Sequence, residues 1–253
     1  MRFLTILFLC FSFSAFGQKT YHRTYYDDGK VKSEGWLENN QKIDYWIFYH
    51  NNGEKQKKGH FIKDKKEAYW EFYNTSGAVI EKGNFKADQK AEHWVSFYDN
   101  GKVKSKGNYN ANKKTGFWKF FYKNSVVEKQ GNFKAGLENR YWEFYYDNGK
   151  LYKSGLFSKG KETDYWKLFN SNGTKQSEGR FVNGVKDNWW LFYDNMNIVN
   201  HKCQIKGDQK NGYCLRYENK KLVKAEKYQN GKKIKEWTDY ATFKKENKFS
   251  DLK

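Results

Sequence analysis

The 253-residue chain contains no proline. Proline cannot donate to a strand ladder, so its complete absence agrees with a continuous β-sheet. Leucine and isoleucine are scarce as well, which excludes a deep aliphatic core and leaves stacking along a sheet as the main source of burial. The five histidines (His22, His50, His60, His93, His201) occupy scattered positions and form no HExxH or other ligand spacing. No G-x-S-x-G, phosphate loop or EF-hand spacing occurs either. The sequence therefore offers no metal site, no cofactor and no catalytic constellation, and it reads as a non-enzyme. Cysteine is limited to three residues, too few for a disulfide-built scaffold.

Aromatic residues, in contrast, make up 20% of the chain, and they are periodic. Trp46, Trp70, Trp94, Trp118, Trp142, Trp166 and Trp190 follow one another at intervals of 24 residues, without insertion or deletion. A fixed period of this length marks a repeat array. An aromatic follows each tryptophan by three residues (Tyr49, Tyr73, Phe97, Phe121, Tyr145, Phe169, Tyr193), and another ring or His93 precedes it. Further on comes a glycine, usually after Asn or Asp (Gly53, Gly77, Gly101, Gly149, Gly173), with Ser125 and Asn197 as departures. A second run then ends on another glycine slot, from Gly35 to Gly179. An aromatic run, an Asn-Gly or Asp-Gly turn and a Val-containing run make a hairpin, because Gly and Asn supply the positive φ of tight turns. The expected fold is all-β: an elongated, curved antiparallel sheet of about nine stacked hairpins, extending about 85 Å at roughly 4.8 Å per strand.

Turn length sets the register. A two-residue turn at Asn148-Gly149 places Trp142 opposite Gly155, a ring filling the space of a missing side chain. Trp142, Phe144, Leu151 and Phe157 then share one face, and Tyr141, Glu143 and Tyr145 the other. A three-residue turn with a bulge is also compatible with the sequence and would flip the second strand. The segregation of apolar residues favours the two-residue form.

Along the chain, Arg2, an apolar run Phe3–Phe13 and Ser14-Ala15-Phe16-Gly17 have the layout of a secretory signal peptide, with cleavage expected before Gln18. The run is too short to span a membrane. Cys10 lies within it and lacks the small residues of a lipoprotein site. The array is expected over 20–231, and 232–253 as a polar C-terminal cap or tail, since Trp237 falls one residue short of the tryptophan phase.

These motifs resemble the MORN repeat family in its bacterial second variant, whose pattern reads roughly G-x-W-x-x-Y-Y-x-N-G-K, a polar stretch, then Y-x-N-G-K. Trp142, Tyr145, Tyr146, Asn148, Gly149 and Lys150 match the first part, and Phe181, Asn183 and Gly184 the second. The glycine two before the tryptophan is kept only at Gly116 and Gly212. Asp44, Ala68, Glu92, Arg140, Asp164 and Asn188 replace it elsewhere, so the backbone at that point is the open structural question. The resemblance implies a curved sheet of stacked hairpins and roles in protein–protein scaffolding or phospholipid binding. Bacterial proteins of this variant often carry an antitoxin-like label.

The net charge of +19 favours anionic partners, although lysine also blunts exposed strands and keeps an aromatic sheet soluble. The expected function is a non-enzymatic, exported scaffold, periplasmic or extracellular, that binds a protein at the cell envelope. Its candidate contact residues are Tyr45, Tyr49, Tyr69, Tyr73, Tyr141, Tyr145, Tyr165 and Tyr193, rings that could equally serve only as a second stacked layer. The alternative is adhesion to anionic phospholipid or glycan through Lys63, Lys65, Lys66, Lys113 and Lys114. Export argues against nucleic acid. Cys203 occupies a glycine slot and Cys214 the next tryptophan slot, on adjacent strands; in an oxidising compartment they are candidates for a disulfide, with two buried free thiols as the other possibility.

Overall fold

A computed structural model describes residues 18–248 and Leu252. The expected leader, 1–17, lies outside the described residues. Nineteen antiparallel strands, from β1 (Thr20–Tyr25) to β19 (Lys232–Trp237), pair each with the next in chain order. They form one open, elongated and curved sheet. Each repeat contributes a strand carrying the tryptophan, such as β11 (Leu137–Tyr145), and a returning strand, such as β12 (Leu151–Ser158).

Trp142 stands opposite Gly155, the expected register. The turn that produces it is the longer one. The Tyr146 N–H donates to the Lys150 carbonyl and the Gly149 N–H to the Tyr146 carbonyl, which leaves a three-residue loop. This turn does not flip the strand, because a bulge at Tyr152 cancels the extra residue: Tyr145 pairs with Leu151 and Phe144 with Lys153. Leu151 alone changes side. It stands opposite Tyr145 rather than sharing the tryptophan face. Gly149 takes φ +83°, and Ser125 and Asn197, which replace that glycine in two units, take the same left-handed conformation. Asn148 secures the loop twice, accepting from the Lys150 N–H at 3.0 Å and donating to the Ser171 carbonyl of the next turn at 2.9 Å.

The position two before each tryptophan is left-handed in every unit, whether glycine or not: Asp44, Ala68, Glu92, Gly116, Arg140, Asp164, Asn188 and Gly212 all have positive φ. There the strand bulges outward. Between β10 (Val127–Lys134) and β11, Gly131 pairs with Trp142 while Asn132 already pairs with Asn139. The carbonyls left without ladder partners are taken up by indole N–H groups. Trp142 Nε1 donates to Asn132 O at 3.0 Å, and Trp70 Nε1 to both His60 O and Glu67 O at 3.1 and 3.2 Å. The tryptophan thus satisfies the backbone polar groups that its own bulge exposes.

The ring over each glycine comes from the following hairpin. A Cβ on Gly155 would sit 2.3 Å from Trp166 Cδ2, and the other glycines from Gly35 to Gly179 meet the next tryptophan in the same way. Each indole lies flat against the neighbouring hairpin and is buried in a sheet that has no second layer. Phenylalanines stand edge-on between them, with Phe61–Trp70, Phe85–Trp94 and Phe133–Trp142 centroids 5.0 Å apart. These T-shaped pairs make the continuous spine of the tryptophan face.

The last units depart from this pattern. Helix α1 (Tyr240–Glu246) follows β19, capped by Asp239, whose carboxylate accepts from the Thr242 N–H at 2.7 Å. A one-residue slip in a strand moves a side chain to the opposite face. Trp237, one short of phase, therefore points away from the other tryptophans and is buried with Tyr213, Leu215, Ala225 and Phe243 of α1.

Candidate interaction face

The face opposite the tryptophans carries two aromatic rows, and the eight tyrosines expected as one contact set divide between them. The residue just before each tryptophan forms the outer row. Tyr45, Tyr69, Tyr141 and Tyr165 are 39–52% exposed, and Tyr21 and Phe117 extend the row at 50% and 49%. Tyr49, Tyr73, Tyr145 and Tyr193 form the inner row, half-buried, with hydroxyls already engaged. Tyr49 donates to Glu34 at 2.7 Å, Tyr73 to Glu71 at 2.6 Å and Tyr145 to Glu143 at 2.9 Å; Tyr193 donates to Glu178.

These carboxylates have second partners in Arg23, Lys58, Gln130 and Lys175. Burial, then the bonded carboxylate, pushes Tyr49 and Tyr145 up to about 12. The Tyr49 hydrogen bond, against some burial and with help from Arg23, holds Glu34 below the usual carboxylate range. The inner row is internal structure; the outer row is exposed, although the Tyr165 hydroxyl also reaches Glu178.

At the C-terminal end the same outer row is covered. Tyr213 stands in the slot of Tyr141 yet is only 3% exposed. Phe243 of α1 packs edge-on against it at 6.0 Å and against Trp237 at 5.4 Å. The Tyr213 hydroxyl donates to Asn247, and Trp189, another member of the row, donates its indole N–H to the Leu252 carbonyl. The tyrosine face therefore has a side-chain arrangement that accepts an amphipathic helix. The sequence signals for this were Trp237 out of phase and the Asp239 cap just after it.

The expected lysine set does not form one patch. Lys63, Lys65 and Lys66 lie at the connection of β4 (Lys55–Ile62) to β5 (Lys65–Tyr73), and Lys113 and Lys114 at that of β8 (Val103–Asn110) to β9 (Lys113–Phe121), four strands away. Lys66 sits over Phe85 at 4.9 Å, and Lys114 over Trp118 and Phe120, each at 4.8 Å. Burial first, then the neighbouring Lys129, lowers the Lys114 pKa. These two lysines cover the tryptophan spine, while Lys63, Lys65 and Lys113 are exposed.

Cys203 and Cys214 stand directly opposite on β16 (Val199–Lys206) and β17 (Gln209–Glu218) and are joined by a disulfide, with Cα atoms 4.0 Å apart. The bridge replaces the glycine and overlying ring found at every earlier junction. Among the described residues, no group of three or more His, Cys, Asp or Glu could hold a metal ion, and no helix is long and apolar enough to cross a membrane.

A family model for the MORN repeat variant matches residues 93–111 and 141–159. No curated protein matches the chain. Among solved structures, a TcdB2–TccC3–Cdc42 complex matches at 13% identity and a TcdB2–TccC3–TEV structure at 12%, each with a TM-score of 0.22. They cover 82% and 85% of this chain, which spans only 13% of theirs; likeness at that level carries no argument about function. The matched segments contain Trp94 and Trp142, whose slots recur in phase along the sheet, so the chain is similar to the MORN repeat variant at these two places.

Proposed function

We propose that the protein is a non-enzymatic, exported scaffold whose outer aromatic row captures a protein partner at the cell envelope, the partner presenting an apolar helical face. The observation that carries this reading is the seat of α1, where Phe243 packs on Tyr213 in the row that stays bare from Tyr21 to Tyr165. Exposed tyrosines suit such a role, since each offers a large apolar area with a polar tip. The antitoxin-like label of the family fits a partner-binding protein and adds no partner identity. The rival reading is adhesion to anionic phospholipid or glycan through Lys63, Lys65 and Lys113.

Capture from envelope extracts by the mature protein tests both. Tyr69→Ser with Tyr141→Ser is expected to abolish capture and leave the strand spectrum unchanged, because neither ring belongs to the tryptophan spine. Binding by the native protein is expected to persist at physiological salt. Loss of binding between low and physiological salt, with the double variant unaffected, would instead support lysine adhesion.

A further inference from the structure

The middle strip of the tyrosine face is electrically compensated in most units. Arg23 pairs with Glu34 and Lys58 with Glu71, each at 2.8 Å, and Lys167 stands opposite Glu178. One junction breaks the rule. Lys106 of β8 stands directly opposite Lys119 of β9, the one pairing from β1 to β16 that sets two like charges face to face among the described residues. Like charges in that position destabilise a sheet. Two further basic pairs occur near the C-terminal end, and both have carboxylates at hand: Glu226 beside Arg216 and Lys224, and Glu246 beside Lys235.

Among the described residues, Lys106 and Lys119 contact no carboxylate; each ammonium leans instead on a ring, Phe121 at 5.8 Å and Phe117 at 5.9 Å. Between them the surface is hollowed to about 280 Å³, lined by His93, Lys106, Gly107, Asn108, Phe117 and Lys119. The hollow arises where the outer row changes residue: His93, a smaller ring, stands between Tyr69 and Phe117 of the units before and after, and Asn108 stands opposite it. Phe117 presents an apolar ring that is half exposed.

We propose that this hollow binds a sugar carrying a single oxyanion ester, a sulfate or a phosphate. Lys106 and Lys119 both line the hollow, and two ammonium groups at one site complement a tetrahedral oxyanion through charge-assisted hydrogen bonds. The Phe117 and His93 rings offer flat faces to the C–H side of a sugar, and the Asn108 amide can both donate to and accept from its hydroxyls. The volume lies just below the usual range for ligand sites, which suits a monosaccharide ester and not a protein element. The site uses neither Tyr69 nor Tyr141, so it stands or falls independently of the protein-binding reading.

Calorimetric titration of the mature protein at physiological salt with galactose 6-sulfate, glucose 6-phosphate and neutral galactose provides the test. Saturable one-site binding of either ester, without binding of galactose, is expected; whichever ester binds more tightly identifies the source. Lys119→Glu recreates the cross-strand pairing of Lys58 with Glu71, so it is expected to fold at least as stably and to weaken ester binding by about tenfold or more. Lys63→Glu makes the same charge change on a distant loop and is expected to alter affinity by less than about twofold. Equal losses in both variants would reduce the effect to net charge and overturn the proposal. So would absence of saturable ester binding, equal binding of galactose, or Lys119-dependent binding of phosphatidylglycerol vesicles that neither ester displaces.

Discussion

Tyr141 and Tyr213 occupy the same slot three repeats apart and meet opposite fates. Tyr141 is 52% exposed and Tyr213 is 3% exposed. The strand geometry beneath them is alike; what differs is that the chain after Trp237 turns back as a helix and covers the face. The hairpin repeat thus determines which side chains line the face, and a separate element decides whether they meet solvent. A solenoid must finish its stack with an atypical unit. Here the closing element sits on the tyrosine face of the last strands, and among the described residues β1 pairs only with β2.

The largest expected effect separates the covered end from the bare units. Phe243→Ala removes the ring that seals Tyr213 and Trp237, and should cost about 3–5 kcal/mol in the last units. Hydrogen exchange should accelerate in β17, β18 (Lys221–Gln229) and β19, with Trp142 and its neighbours still protected. Uniform acceleration along the sheet would mean that the two regions form one cooperative block. Reducing the Cys203–Cys214 bridge, which lies at the boundary between them, should remove about 2–3 kcal/mol. Its melting shift should come from the C-terminal transition; a shift confined to the bare units would contradict that placement.

Within the bare region, Gly131→Ala drives a Cβ to 2.2 Å from the Trp142 ring, an overpacking that should cost about 1–3 kcal/mol. Gly101→Ala meets no neighbour and has only its φ of +78° to contend with, so about 1 kcal/mol is expected. Equal denaturation midpoints for the two variants would show that ring contact is not what the glycine slot protects. The smallest effect concerns pH. Tyr49, Tyr145 and Tyr165 are pushed up to about 12 by burial first and by their glutamates next. The unfolded chain loses these phenolic protons from about pH 10 and the folded chain only near 12. Stability is therefore fully present below pH 10 and declines between 10 and 12. Ultraviolet titration should show a late phenolate step, and Tyr145→Phe should reduce its amplitude.

Much of the sheet was legible because its determinants are local and repeated. The tryptophan period gave unit length, and the ring-over-glycine principle gave the Trp142–Gly155 register. The turn was not legible, because DNGK admits two loops and the bulge at Tyr152 that reconciles the longer one carries no marker of its own. The origin of the ring over Gly155 was also hidden: Trp142 and Trp166 both flank that glycine, and only the inter-hairpin packing chooses Trp166. For the candidate face, the sequence grouped eight tyrosines that share a side. It could not separate hydroxyls bonded to Glu34, Glu71, Glu143 and Glu178 from rings left in solvent, since that depends on cross-strand neighbours. Nor did lysine clustering along the chain identify Lys106 and Lys119, which meet only across two strands.

Because each indole lies on the glycine of the hairpin before it, the order in which the chain emerges matters. A hairpin made first waits with an uncovered groove until its successor arrives and places a ring there. Growth from the N-terminus therefore always leaves one vacant seat at the advancing edge and none behind it. A chain cut short at any unit would keep a fully clad interior and one adhesive end. A chain missing its first units would instead begin with a tryptophan that has no seat. Truncations from opposite ends should differ in solubility even when they remove the same number of repeats.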